Sequence, residues 1–227
     1  MPGWWRRIVG LPATRDGGKQ DHVVDKTVTA SGTTWSGLDL GIQTQLAGEI
    51  TGGDPRARMA AARALSGSPL HLATQTTLAT AITFGDPDVR QAAAKALSGS
   101  PLEIATQTTL ATEVTYGGPE GRQAAAQALS GSPLYLATQT TLATAITFGD
   151  PDVRQAAAKA LSGSPLDLAT QTTLATEITY GGPEGRQAAA QALSGSPLHL
   201  ATQTTLASAL RDTNPEVRAS AARALGR

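Results

Sequence analysis

The sequence has no cysteine, which excludes disulfides, thiolate metal centres and a cysteine nucleophile. No apolar run approaches the ~18 residues that mark a membrane-spanning helix. The opening MPGWWRRIVGLP carries a charged pair but too short an apolar stretch for the centre of a signal peptide. A soluble, cytoplasmic protein is expected. An excess of either charge is also missing, since 18 Lys and Arg balance 18 Asp and Glu over 227 residues. That balance is unevenly distributed. Residues 1–35 carry five basic and three acidic side chains, whereas residues 85–212 carry seven and eleven, a net charge of −4. Binding a phosphate backbone needs a basic stripe that releases counterions. The central body has none, so nucleic acid is not an expected partner.

Histidine is scarce, limited to His22, His71 and His199. No nucleophile motif, phosphate-cradling loop or zinc spacing is present. The sequence names no catalytic residue, metal ligand or cofactor, and a non-enzymatic protein is expected.

What the sequence does contain is a period. Pro55, Pro87, Pro119, Pro151, Pro183 and Pro215 stand 32 residues apart, and so do Pro69, Pro101, Pro133, Pro165 and Pro197. A fixed period of this size means a stacked array in which each unit buries its apolar face on its neighbours. Proline suits the first residue of a helix, where its missing N–H costs nothing. The residues before it are N-cap types: Asp54, Asp86, Asp150 and Asn214 on one comb, and Ser68, Ser100, Ser132, Ser164 and Ser196 on the other. The expected unit is therefore two helices, of about 11 and 15 residues, joined by a turn of two or three. Gly99 supplies the left-handed stop of a first helix.

In the first helix Val89, Ala93, Ala96 and Leu97 share one side. In the second, Ile104, Leu110 and Val114 fall in one arc, with Thr106, Thr109 and Thr112 read as the opposite face. β-Branched threonine disfavours helix, so packing must hold these helices in place. The register extends to SGLDLGIQTQLAGEIT (36–51), a lone second helix, and to NPEVRASAARALGR (214–227), a lone first helix. The fold class is all-α: an α-solenoid of about six units over residues 36–227, roughly 60 Å long, with half-units at both ends. Residues 1–35 have no period and are read as an irregular arm. Trp4 and Trp5 beside Arg6 and Arg7 could touch a membrane or a partner groove; the simpler reading has them cover the first exposed helix.

The segments DPDVRQAAAKAL (86–97 and 150–161) and NPEVRASAARAL (214–225) resemble the first helix of bacterial HEAT-like repeats. The leucine-rich variant repeat is a weaker likeness. The HEAT-like resemblance implies a curved right-handed α-solenoid in which an Asp and an Arg bridge neighbouring repeats. Here these would be Asp54, Asp86 and Asp150, with a structural ladder of Arg58, Arg90, Arg122, Arg154, Arg186 and Arg218. The second helix, LATQTTLAT, departs from that family.

Residues 85–143 and 149–207 differ at only four of 59 positions. Two of the four fall at one repeat position, which reads His71, Glu103, Tyr135, Asp167 and His199, with Asp39 in the leading half-unit. One position changing size, charge and aromaticity inside a fixed frame resembles the specificity position of modular binders. Beside it runs a glutamine row, Gln75, Gln107, Gln139, Gln171 and Gln203, expected to offer amide groups to the same ligand. The competing reading makes Glu103 and Asp167 capping-box acids behind Ser100 and Ser164. Gly121 and Gly185, standing where other units have Val89 and Val153, are read as loosening the packing. The expected function is an interaction module recognising a protein or peptide through one variable side chain per repeat. The alternatives are an assembly solenoid that self-associates through its identical units, or the sensing part of a bacterial defence or signalling system.

Overall fold

The computed structural model describes residues 38–226. The arm read over residues 1–35, with Trp4, Trp5 and His22, lies outside the described residues. Those described form twelve helices in chain order: α1 Leu40–Gly52, α2 Pro55–Leu65, α3 Leu72–Phe84, α4 Pro87–Leu97, α5 Ile104–Tyr116, α6 Pro119–Leu129, α7 Leu136–Phe148, α8 Pro151–Leu161, α9 Leu168–Tyr180, α10 Pro183–Ala192, α11 Leu200–Ala209 and α12 Pro215–Leu225. They make an all-α solenoid of six two-helix units. Each threonine-rich helix packs on the proline-led helix that follows it, and each kind packs on its counterparts in the adjoining units. Two layers result, one of proline-led and one of threonine-rich helices.

The proline-led helices form as their sequences dictate. Each has Pro at its start, and Asp54, Asp86, Asp150 and Asn214 accept hydrogen bonds from first-turn N–H groups. Alanine fills the contacts between them: Ala92, Ala93, Ala94 and Ala96 of α4 are buried, with Leu97 sealing the end. The missing side-chain bulk brings helix axes close together. Gly67, Gly99, Gly131, Gly163 and Gly195 follow these helices with φ of 75–91°. A Cβ would meet nothing at Gly67, Gly99, Gly131 or Gly163, so the left-handed backbone, and not lack of space, calls for glycine there.

The threonine-rich helices begin later than the proline comb implied. Pro101 does not start α5; residues 101–103 are extended, and Glu103 is the N-cap of a helix of 13 residues. The connector thus spans six residues (98–103), longer than the turn expected. Its serines serve the stack: Ser132 Oγ donates to the Ser100 carbonyl at 2.8 Å, and Ser164 Oγ to that of Ser132 at 2.7 Å. Two assignments on the helical wheel also change. Ile104 is half exposed, and Thr106 is buried with its hydroxyl unpaired. The buried arc is wider than one apolar stripe because each helix meets both a sibling and a proline-led helix.

Candidate functional site

The glutamine row is not a ligand surface. Gln75, Gln107, Gln139 and Gln171 are buried at 0–2% exposure, and their amides link consecutive units. Gln107 Nε2 donates to the Leu102 carbonyl at 3.0 Å and to the Pro133 carbonyl of the next unit at 2.8 Å. Its Oε1 accepts the N–H of Tyr135, 28 residues on, at 3.0 Å. Gln75 holds Glu103 in the same way, Gln139 holds Asp167 and Gln171 holds His199. The ladder starts a unit earlier than the sequence reading had it, with Gln43 binding the N–H of His71. Gln203, in the last threonine-rich helix, is exposed and makes a single bond, to the Leu198 carbonyl. The donors and acceptors expected to face a ligand are spent inside the protein.

That ladder builds the frame of the variable row. His71, Glu103, Tyr135, Asp167 and His199 are each the N-cap of a threonine-rich helix, and each side chain is exposed. None of the five caps its helix with its side chain. The capping-box reading of Glu103 and Asp167 therefore fails. The acids occupy the N-cap position itself; the Ser100 and Ser164 N–H groups that a capping box would satisfy bond the Leu97 and Leu161 carbonyls, and the acids' own N–H groups are held by glutamines. Only Asp39, in the first unit, which is complete and not the half-unit expected from sequence, caps, accepting from the Ile42 N–H. Next to the row stand half-exposed Leu72, Ile104, Leu136 and Leu168. A recess of about 540 Å³ opens between units there, lined by Leu38, Asp39, Pro69, His71, Leu72 and Glu103. Each unit thus presents one changing side chain beside one constant apolar one.

The arginine ladder is present, but it uses two kinds of partner. Arg58 reaches Asp86 and Arg122 reaches Asp150, both at 3.5 Å and both from one unit to the next. Arg90 and Arg154 have no such partner, because the next N-cap is Gly118 or Gly182. They turn to Glu113 and Glu177 at 3.8 and 3.3 Å, carboxylates only 8% exposed. Arg90 Nε also donates to the Gly85 carbonyl at 2.8 Å, as Arg154 Nε does to Gly149. Arg186 binds Asp212, 2.8 Å from Nε to Oδ2. Burial raises the Asp212 pKa, but the Asn214 N–H, the Arg186 guanidinium and the Thr213 hydroxyl outweigh it and leave the carboxyl below its ordinary 3.8. Arg218, in the last helix, bonds the carbonyls of Asp212 and Thr213.

This explains the two-unit alternation. A Cβ on Gly121 would collide with Glu113 Oε1 and lie 2.7 Å from Arg90 Nη1. Gly121 and Gly185 do not loosen the packing; they admit the buried carboxylate. One kind of unit carries Ala81, Asp86 and Val89, the other Glu113, Gly118 and Gly121. Each set keeps an acid for the arginine of the preceding unit.

A further row went unassigned in the sequence. Phe84, Tyr116, Phe148 and Tyr180 end their helices at 82–84% exposure, one ring per unit, about 20 Å along the helix from the variable row. Among the described residues no group of three His, Asp or Glu side chains converges, and no helix is long and apolar enough to cross a membrane.

Residues 204–227 match the family model of the HEAT repeat. Among curated proteins none matches in sequence. Solved structures that resemble the chain include two engineered proteins. One is 21% identical, with 81% of this chain and 97% of that one covered and a TM-score of 0.42. The other is 20% identical, with 82% and 95% covered and a TM-score of 0.44. A designed armadillo repeat protein in complex with the peptide (KR)4 is 12% identical, with 81% and 98% covered and a TM-score of 0.41. The matched residues open in α11 and run through α12, and the same unit recurs at 32-residue spacing back to residue 36. Residues 204–227 are thus similar to a HEAT repeat, and the other units share their period.

Proposed function

We propose that this solenoid is a non-catalytic interaction module, acting in the cytoplasm, that recognises an extended protein or peptide segment. His71, Glu103, Tyr135, Asp167 and His199 do the reading, one per repeat. One observation carries the proposal: these five positions are fixed through main-chain groups alone, the N–H by the glutamine of the preceding unit and the carbonyl by the first turn of the helix, while their side chains are exposed. The frame is therefore indifferent to side-chain identity, and the chemistry at the row changes without a cost in stability. The neighbouring half-exposed leucines supply unspecific apolar area, and the variable side chain decides which ligand fits. Aromatic residues dominate binding hot spots, and Tyr135 is central in the row.

The test is to pan a random peptide library on the intact chain. Enriched peptides should lose affinity by about 1–3 kcal/mol on Tyr135→Ala, with the melting temperature unchanged. No enrichment, or equal binding to the variant, defeats the proposal.

A further inference from the structure

The outward faces of α3, α5, α7 and α9 form a second surface, separate from the variable row. The helices themselves expose no charge, since their acidic side chains, Glu113 and Glu177, are buried; at the edge of the face the half-exposed carboxylates of Asp86 and Asp150 are each paired with an arginine, Arg58 and Arg122. What faces out is threonine and the four rings. On α7, Thr140, Thr141, Thr144 and Phe148 fall within one arc of about 100°, and all are exposed. The hydroxyls of Thr140, Thr141 and Thr144 each donate to the carbonyl four residues back, at 2.9, 3.0 and 2.9 Å. The three equivalent threonines of α5 and of α9 do likewise. Their donors are satisfied within the helix, so covering α5, α7 and α9 leaves these hydroxyl hydrogens paired. Contact is made by methyl groups and rings.

The face also has relief. Rings at 82–84% exposure are knobs. A recess of about 490 Å³ lies between Tyr116 and Phe148, with Thr140, Thr144, Ala145 and Val153 around it and Asp150 at its edge. A recess of about 500 Å³, lined by Phe84 and by Thr76, Thr80, Ala81 and Val89, stands two units earlier. Both occur where the unit carries alanine and valine, not the buried glutamate. The recesses are thus 64 residues apart in register. So are the two phenylalanines, and so are the two tyrosines.

We propose that this face docks a second copy of the chain, rings of one copy entering the recesses of the other. The periodicity selects that occupant. A second copy has the same unit spacing, so a ring pair of one kind meets both recesses at once. In a two-fold interface the same patch serves both copies, ring against recess and recess against ring, and with Asp86 and Asp150 paired to Arg58 and Arg122 the patch has no net charge to repel its copy. The surface used for peptide recognition stays free at the opposite end of the helices.

Sedimentation equilibrium of the full chain over a range of concentrations tests this. A reversible dimer is expected, with little change between low and high salt because no ion pair holds it. Phe148→Asp combined with Tyr116→Asp should weaken association at least 100-fold. Helical content should not change, because neither ring belongs to the core, and Tyr135→Ala should leave the dimer intact. A protein that is monomeric at every concentration overturns the proposal and leaves the face to a foreign partner. A dimer that persists in the double aspartate variant overturns it as well.

Discussion

Truncating Gln107 to alanine should reveal what the glutamine ladder is worth. The change removes three hydrogen bonds, one within the unit to Leu102 and two to the next unit, to Pro133 and from Tyr135. It leaves the Tyr135 N–H and the Pro133 carbonyl facing a void. Hydrogen bonds of this kind contribute about 1 kcal/mol each, and orphaned partners add to the loss. Gln107→Ala should therefore cost about 3 kcal/mol. Gln203 is the internal control. It occupies the same helix position but is exposed and keeps one bond, so Gln203→Ala should cost less than about 1 kcal/mol. Urea unfolding followed by circular dichroism measures both. Equal costs at the two sites, or a cost below about 1 kcal/mol at Gln107, would refute the reasoning and return the row to the surface role expected from sequence.

Other expectations follow from the arginine ladder and its alternation. Arg154→Ala strands the buried Glu177 carboxylate and should cost about 3 kcal/mol. Arg122→Ala releases the exposed Asp150 and should cost about 1 kcal/mol; denaturant midpoints distinguish the two. Gly121→Val should destabilise by about 2 kcal/mol through overpacking, and combining it with Glu113→Ala and Gly118→Asp should restore stability by recreating the other kind of unit, a non-additivity visible in a mutant cycle. Asp212 has a folded pKa below its ordinary value, so the unfolded chain takes up that proton first. Its contribution is complete above the usual carboxylate range and is lost as pH falls through the folded value. Asp212→Asn should accordingly flatten the acid limb of the stability profile.

The fold was legible wherever its cause is local. Proline at the helix start, an aspartate cap before it and a glycine stop after it need only neighbouring residues, and α2, α4 and α8 form as read. The start of the threonine-rich helices was misread because Ser-Pro looks like a cap and a first turn. The force that keeps residues 101–103 extended is Gln75 in the preceding unit, 28 residues before Glu103. Hydrophobic patterning counts glutamine as a surface residue, so it could not show that four of these are buried. The recurring spacing of Gln43 and Gln75 from the next variable residue was the available signal. The Glu113–Gly121 alternation was visible as a pattern, but its reason is the carboxylate that Arg90 needs. For the aromatic row, sequence gave the period and could not give the exposure.

The central claim is that the variable row reads a partner from a frame that does not depend on it. Replacing His71, Glu103, Tyr135, Asp167 and His199 together by alanine tests both halves at once. The five-fold variant should keep its helical circular dichroism, lose no more than about 0.5 kcal/mol of stability per site, and no longer bind the peptides selected by the wild-type chain. A variant that unfolds, or one that still binds those peptides, would contradict the account.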